Sequence, residues 1–464
     1  MATSVLLRRT SALAMIASFC LIAGPTARAD DTSAVDQIVQ ILRDKGLIDQ
    51  QTGDEIIAKQ AQAESKAAQP AAGAPAASNG QAPGLLSRFI WSGDVRLRDE
   101  QFWYGNAGLG QSPANDNNRI RYRVRFGFTN DVLPWATVGV RLATTNANGQ
   151  YNSTNISAGE TSNFAYDGVF FDQVYAQFRL PDPGNIGLAT TVTAGKFANP
   201  FVWKHGLDKI VWDEDITPEG VVGVANYAPA ENVKLYFNTG YFVELQNASH
   251  TDPRVWAFQG GGSIRPTETV EMGARVSFYD WEALNNDPNF IPGNEALGNL
   301  PTAFNADMHQ MHIIESSGYV TWGVITNWPM TFWGTWIQNL SAEPGIVKTV
   351  SVGANDVAYA FGWEIGDPKA WFKAGIAWNH VEANAVPALF TDSDMFDNQT
   401  NREGIALYGS REVAQNTEVR LWLWDKSPIK TTQSGVGGGP FNISKSVDSQ
   451  ADRLRLQADL MFKF

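Results

Sequence analysis

Cysteine is almost absent from this chain of 464 residues, since Cys20 is the only one. Cys20 falls in a segment typical of a cleaved signal, so the mature chain is expected to hold no thiol. This excludes disulfide frameworks, thiol catalysis and cysteine-based zinc sites. Charged residues are few, at 18%, and acids outnumber bases by 48 to 35, giving a net charge of −13. Such acidity argues against nucleic-acid binding. The chain also lacks the long apolar runs of a helical membrane protein.

Residues 1–29 have the pattern of a secretory signal peptide. Arg8 and Arg9 form a basic start, residues 11–24 a short apolar stretch, and residues 27–29 (Ala-Arg-Ala) a cleavage site. The apolar stretch is shorter than the roughly 18 residues that a membrane span needs, which disfavours an uncleaved anchor. Export of a chain without hydrophobic helices leaves two classes, a soluble secreted or periplasmic protein and a transmembrane β-barrel.

The rest of the chain divides into three parts by pattern. Residues 30–66 carry apolar positions at helical spacing and two capping boxes, which predicts a short periplasmic helical segment. Residues 67–87 are an Ala/Pro-rich linker. Residues 88–464 show period-two alternation, as in the last segment, where leucines and phenylalanines alternate with charged residues.

About sixteen segments of the third part alternate in this way. They start near residues 88, 119, 135, 168, 188, 219, 231, 254, 268, 307, 329, 355, 369, 404, 417 and 451. Short turns and longer loops alternate between them, as expected for an outer-membrane barrel with short periplasmic turns and long extracellular loops. The sequence therefore predicts an all-β transmembrane barrel of about 16 antiparallel strands. A soluble all-β protein is the alternative, and it gives no reason for the alternation.

Several stretches resemble a known family. They are GDVRLRDE (93–100), RIRYRVRFGF (119–128), VGVRLATTN (138–146), TAGKFANPF (193–201), VWDEDITPEG (211–220) and the C-terminal DRLRLQADLMFKF. Together they resemble the putative-porin family of Gram-negative outer-membrane β-barrels, over about residues 88–464. The resemblance implies a channel across the outer membrane, and it names no solute. Phe464 resembles the terminal aromatic residue that the barrel-assembly machinery uses.

Arginines are the candidate pore-lining residues. Arg119, Arg121, Arg123 and Arg125 alternate strictly, so they share one face of a strand whose other face is apolar. They should therefore face the lumen, and so should arginines of the neighbouring segments. These are Arg96, Arg98, Arg141, Arg453 and Arg455. Like charges this close repel one another, so we expect a water-filled bore or facing acids rather than a plugged, dry interior.

The loop 198–218 is the candidate constriction. By the porin resemblance it corresponds to the loop that commonly folds into the barrel, and it carries Asp213, Glu214 and Asp215. An acidic loop opposite an arginine wall would produce a transverse field that selects solutes by charge. The alternative is that the arginines form ordinary wall salt bridges without a selective role.

The sequence favours a porin for passive diffusion of small hydrophilic solutes and ions. The alternative is a structural protein that uses residues 30–66 to bind the cell wall. An outer-membrane enzyme such as a lipase has no supporting motif, so we predict no catalytic residue and no cofactor. A homotrimer is a further expectation, with outer-membrane lipid and lipopolysaccharide as surroundings.

Two smaller features complete the predictions. His309 and His312 would lie on opposite faces of a strand, which disfavours a metal site between them. Asp392, Asp394 and Asp397 are expected to be solvated, or to bind divalent cations that bridge lipopolysaccharide.

Overall fold

The computed structural model describes residues 89–104, 117–145, 156–157, 168–203, 205, 209–286, 299, 310–325, 328–347, 350–395, 398–429 and 452–464. The predicted signal peptide, helical segment and linker lie outside these residues. Within the described ranges, helix is confined to single 3₁₀ turns, and none of them could cross a bilayer.

Sixteen long strands form one closed antiparallel sheet in the described part of the chain. They are β1 Ile90–Tyr104, β2 Asn117–Leu133, β3 Ala136–Thr145, β4 Gly168–Leu180, β5 Leu188–Lys196, β6 Glu219–Ala230, β7 Val233–Val243, β8 Arg254–Thr267, β9 Val270–Glu282, β10 Gln310–Ile325, β11 Trp328–Asn339, β12 Val357–Gly366, β13 Lys373–Val381, β14 Arg402–Ala414, β15 Thr417–Pro428 and β16 Arg453–Lys463. Each predicted start lies within four residues of an observed one. The barrel prediction, including its sixteen strands, is confirmed.

The barrel closes between its first and last strands. Asp94 of β1 lies opposite Lys463 of β16, and Gly93 and Phe464 exchange two backbone hydrogen bonds of 2.9 and 3.1 Å. A Cβ at position 93 would lie 2.5 Å from the Phe464 ring, so only glycine allows the terminal ring to lie there. Closure pairs the backbone groups that an open edge would leave unsatisfied in lipid.

Connections at the two ends of the barrel differ in length. At one end, a connection of two to seven residues follows each even-numbered strand from β2 to β14. At the other end, the connections that follow the odd-numbered strands are all longer. Two of the long connections matter below. We call residues 197–218, between β5 and β6, the third loop, and residues 382–401, between β13 and β14, the seventh loop.

The two faces of each strand differ in chemistry. On β1, for example, Arg96 and Arg98 are 4% and 2% exposed, whereas Leu97 between them is 48% exposed. The exposed positions of the other strands are likewise mostly apolar, as a lipid-facing surface requires. The arginines therefore point into the barrel.

A hydrophobic core lies inside the barrel. The third and seventh loops fold inward and bury side chains such as Phe201, Trp212 and Phe390 against inward-facing residues of β7–β14, among them Tyr279 and Trp281. The expectation that the interior is an open, water-filled bore is therefore wrong for this part of the lumen. The physical reason is that both loops carry aromatic residues whose burial stabilises the inward fold.

Candidate functional site

Eight arginines lie side by side where the barrel closes. They project inward from three neighbouring strands, β16, β1 and β2, because strict alternation keeps each set on one face. In the register, Arg96 lies opposite Arg123, and Arg98 opposite Arg121. We call this set the arginine wall. Its members are Arg96, Arg98, Arg119, Arg121, Arg123, Arg125, Arg453 and Arg455.

Three carboxylates of the same strands hold the arginine wall together. Glu100 is fully buried; it contacts Arg119 and Arg455 directly and lies 3.6–3.7 Å from two further arginines. Asp459 accepts two hydrogen bonds from Arg98, of 2.7 and 2.9 Å. Asp94 lies between two guanidinium groups of β2, at 2.7 and 3.0 Å. All three share the parity of the arginines on their strands, and that is the sequence signal that identifies them.

The third loop crosses the lumen to reach the arginine wall. Near its start, the Phe201 carbonyl accepts hydrogen bonds from Arg275 of β9 (2.7 Å) and Gln259 of β8 (3.2 Å). Near its end, the Asp215 carboxylate lies 3.0 Å from Arg123 of β2. Asp215 also lies within 3.4 and 4.0 Å of two further wall arginines, Arg125 and Arg96. The third loop is thus fixed to two separate parts of the barrel, β8–β9 at its start and β2 at its end.

The three acids predicted at the constriction have different surroundings. Only Asp215 lies on the arginine wall. Asp213 is buried and accepts hydrogen bonds from the backbone amides of Asp215 and Ser393, both 2.8 Å long. Glu214 is half exposed and pairs with Lys209 at 3.0 Å.

The pKa values of these acids shift in opposite directions. Burial would raise the pKa of Asp215, but the charges of Arg123 and Arg96 outweigh burial and hold it below its ordinary value. Burial, followed by the negative charges of Asp392 and Asp215, raises the pKa of Asp213 well above its ordinary value. Asp215 is therefore the acid that stays ionised most firmly.

The seventh loop also lies on the arginine wall, which sequence reasoning missed. Asp394 is 2.7 Å from Arg98 and 3.0 Å from Arg455. Asp392 is 5% exposed and accepts hydrogen bonds from two backbone amides of its own loop. The expectation that both acids are solvated or bind cations at the surface is wrong, because wall arginines and loop amides surround them. Asp397 lies outside the described residues.

Two of the predicted arginines have separate surroundings. Arg141 of β3 contacts Asp172, which in turn accepts a hydrogen bond of 3.2 Å from Thr217 of the third loop. The Arg453 guanidinium lies 5.8 Å from the centre of the Phe102 ring. Arg141 thus contacts an acid of the neighbouring strand β4 rather than an acid of the third loop.

A cavity of about 170 Å³ remains between the third and seventh loops and the wall formed by β15, β16 and β1. It is lined on the loop side by Lys209, Glu214, Asp392, Asp394 and Met395. On the wall side it is lined by Arg96, Arg98, Arg420, Trp422, Trp424, Gln457 and Asp459. The lining therefore combines both signs of charge with two indole rings.

One histidine of the predicted pair lies within the described residues. His312 lies 3.2 Å from the Asp280 carboxylate, and His309 lies outside the described residues. Where the chain is described, no group of three or more His, Cys, Asp and Glu side chains is arranged to hold a metal ion.

The sequence model of a family described as "Putative porin" matches residues 110–315, and the chain resembles that family. Its fold is similar to those of solved porin structures. Pseudomonas putida OprB has 12% identity and a TM-score of 0.48, with 82% of this chain and 95% of that chain covered. The outer membrane channel DcaP of Acinetobacter baumannii has 11% identity and a TM-score of 0.42, with 81% and 97% covered. No curated protein sequence matches the chain. The family match and the closed barrel support an outer-membrane channel.

Proposed function

We propose that the protein is an outer-membrane porin for the passive diffusion of small hydrophilic solutes and ions. The observation that carries this proposal is the Asp215 carboxylate of an inward-folded loop lying 3.0 Å from Arg123 of the wall. In this proposal the passage is narrow, and it runs past the ion pairs that join the third and seventh loops to the arginine wall. Charged groups at a narrowing are a usual means by which channels select solutes.

The charges along this passage favour anions. Among the candidate pore-lining arginines, eight are set against six carboxylates in ion pairs. The carboxylates are Asp94, Glu100, Asp172, Asp215, Asp394 and Asp459. The excess positive charge lies in a low-dielectric surrounding, where its field extends further than in water. We therefore propose a modest preference for anions, although the whole chain is acidic.

Single-channel recording tests the proposal. Residues 30–464, refolded into a planar bilayer under a salt gradient, should give stable open steps and a reversal potential on the anion side. Arg123→Gln together with Arg125→Gln should move the reversal potential towards cations. The matched control, Arg265→Gln, changes an exposed arginine near a short turn and should leave it unchanged. Absence of open steps from a well-inserted barrel would contradict the channel.

The alternative function is structural, with residues 30–66 binding the cell wall or a periplasmic partner. Deleting residues 30–87 separates the two functions. A porin should conduct as before, whereas a structural protein should lose retention on isolated peptidoglycan. Retention lost together with full conductance would assign both functions to one chain.

The same proposal includes processing and assembly. Residues 1–29 would be removed on export, residues 30–66 would stand in the periplasm, and lipopolysaccharide would surround the long loops. Phe464 is 59% exposed at the barrel's closing seam, where the barrel-assembly machinery could reach it. We also propose a homotrimer, which chemical cross-linking in mild detergent tests; a monomer at all cross-linker concentrations would reject it.

A further inference from the structure

The cavity between the loops and β15 has an aromatic floor. Trp422 and Trp424 alternate along β15 and stack with their rings 2° from parallel and centroids 5.4 Å apart. Tyr408 of β14 stacks on Trp422 at 4.9 Å. Three rings therefore form a continuous track along the lumen wall. A flat aromatic face attracts the partially positive C–H groups of a ring that lies against it.

The charges around this floor already have partners. Four cations and four carboxylates line the cavity, so its formal charge is balanced. Arg420 holds Glu418 with two hydrogen bonds of 2.9 Å, and Lys209 holds Glu214 at 3.0 Å. A charged solute would have to displace one partner of such a pair, and it would also meet charges of its own sign.

A neutral hydroxyl group can join these pairs without displacing a partner. It both donates and accepts a hydrogen bond, and guanidinium and carboxylate groups keep spare donors and acceptors when they are paired. The most accessible charged groups at the cavity are the side chains of Glu214 and Arg420, 50% and 29% exposed. Several hydroxyl groups around one ring could therefore bind at the same time as the ring face lies on Trp422.

The size of the cavity limits the ligand. A cavity of about 150 Å³ holds one benzene ring, and this one measures about 170 Å³. Building on the proposed channel, we infer that this cavity is a binding site on the transport path for one neutral, polyhydroxylated six-membered ring, that is, a monosaccharide. Trp422 supplies the stacking face, and Arg420 and Glu214 supply the hydrogen bonds.

Current interruptions by added solutes test this site in the full mature chain. Glucose should interrupt the ion current more often and for longer than sorbitol, which has the same hydroxyl chemistry but no ring. Glucuronate and glucosamine, which add a negative and a positive charge, should both be weaker than glucose. Equal effects of glucose and sorbitol would overturn the inference, and so would a stronger effect of either charged sugar or of a zwitterionic amino acid.

Variants of the floor sharpen the test. Trp422→Ala should weaken glucose binding by about tenfold, as the loss of one ring contact predicts, and should leave sorbitol unaffected. Trp422→Phe keeps a ring face and should retain most of the effect, which separates stacking from misfolding. The control Trp322→Ala removes an indole on the outer face of β10, 48% exposed, and should change nothing. An unchanged glucose effect in Trp422→Ala would reject the site.

Failure of the channel and failure of the site give different results. If the inserted protein does not conduct, the proposed function fails, and calorimetric titration of detergent-solubilised protein with glucose decides the site. Heat of binding that Trp422→Ala abolishes would keep the site without the channel. Conductance without glucose binding by either method would keep the channel and reject the site.

Discussion

The two halves of the lumen are equally buried but are held by different forces. In the half formed by β16, β1 and β2, Arg455 and Glu100 are fully buried and held by ion pairs. In the half formed by β8–β13, Ile313 and Ile337 are just as buried and are held by apolar packing. Ion pairs are directional and create a field, whereas apolar packing is non-directional and fixes position.

The third and seventh loops serve both halves with neighbouring residues. In the third loop, Trp212 packs in the apolar half and Asp215, three residues later, lies on the arginine wall. In the seventh loop, Phe390 packs in the apolar half, and Asp394 lies on the wall. Each loop thus uses an aromatic side chain for position and a carboxylate for charge.

The largest expected effect comes from breaking the charged half. Glu100→Gln removes the buried carboxylate that four arginines of the wall surround. Because breaking a buried pair leaves charge uncompensated, we expect the free energy of unfolding to fall by about 3–5 kcal/mol. Urea titration of the barrel in lipid vesicles measures it.

The control for that change is an exposed pair. Asp131→Asn removes the carboxylate partner of Arg179, which is more than half exposed, so solvent screens the pair and little destabilisation is expected. Equal destabilisation by the two substitutions would show that the wall arginines are better solvated than their burial indicates.

A smaller effect is expected from breaking the apolar half. Phe390→Ala removes a ring that stacks on Trp281 with centroids 4.6 Å apart. We expect a loss of about 3 kcal/mol, near the lower limit for buried phenylalanine, because the loop can partly collapse. Single-channel conductance should rise, since the seventh loop loses its apolar anchor and keeps only its ion pairs with the arginine wall. Phe361→Ala on the lipid face, 55% exposed, should leave conductance unchanged.

The smallest effect is a pH response where the two halves meet. The pKa of Asp213 is raised by burial and by the charge of Asp392, so its ionised form is disfavoured. Its contribution to stability is therefore present at low pH and is lost as the pH rises through the raised pKa. Burial would raise the pKa of Asp394, but Arg98 and Arg455 hold it well below its ordinary value, so this clamp stays ionised.

Once protonated, Asp213 of the third loop no longer repels Asp392 of the seventh loop. Lowering the pH from neutral to just above 3.8, the ordinary pKa of aspartate, should therefore bring the two loops together and reduce conductance. Asp213→Asn, which carries no charge at any pH, should remove this dependence. Conductance that rises on acidification, or a response that survives Asp213→Asn, would contradict the assignment. Asp356→Asn, outside both loops, serves as the control.

The shared face of the arginines follows from local periodicity alone. Period-two alternation assigned Arg119, Arg121, Arg123 and Arg125 to one face without any tertiary information. The same parity also places Glu100 among the arginines, although its role as the centre of four ion pairs needs the register of three strands. The seventh loop offered no comparable signal, because a run of aspartates is equally typical of a solvated loop.

The sequence by itself determined the sixteen strands, their inward and outward faces and the alternation of short and long connections. These depend on local periodicity and on the lipid that surrounds the barrel. Only the tertiary structure decided which loops fold inward and which acid lies on which arginine. Asp394 and Arg98 are 296 residues apart in the chain and come within 2.7 Å because the seventh loop folds across the lumen to β1. Contacts between parts of the chain so far apart leave no local pattern.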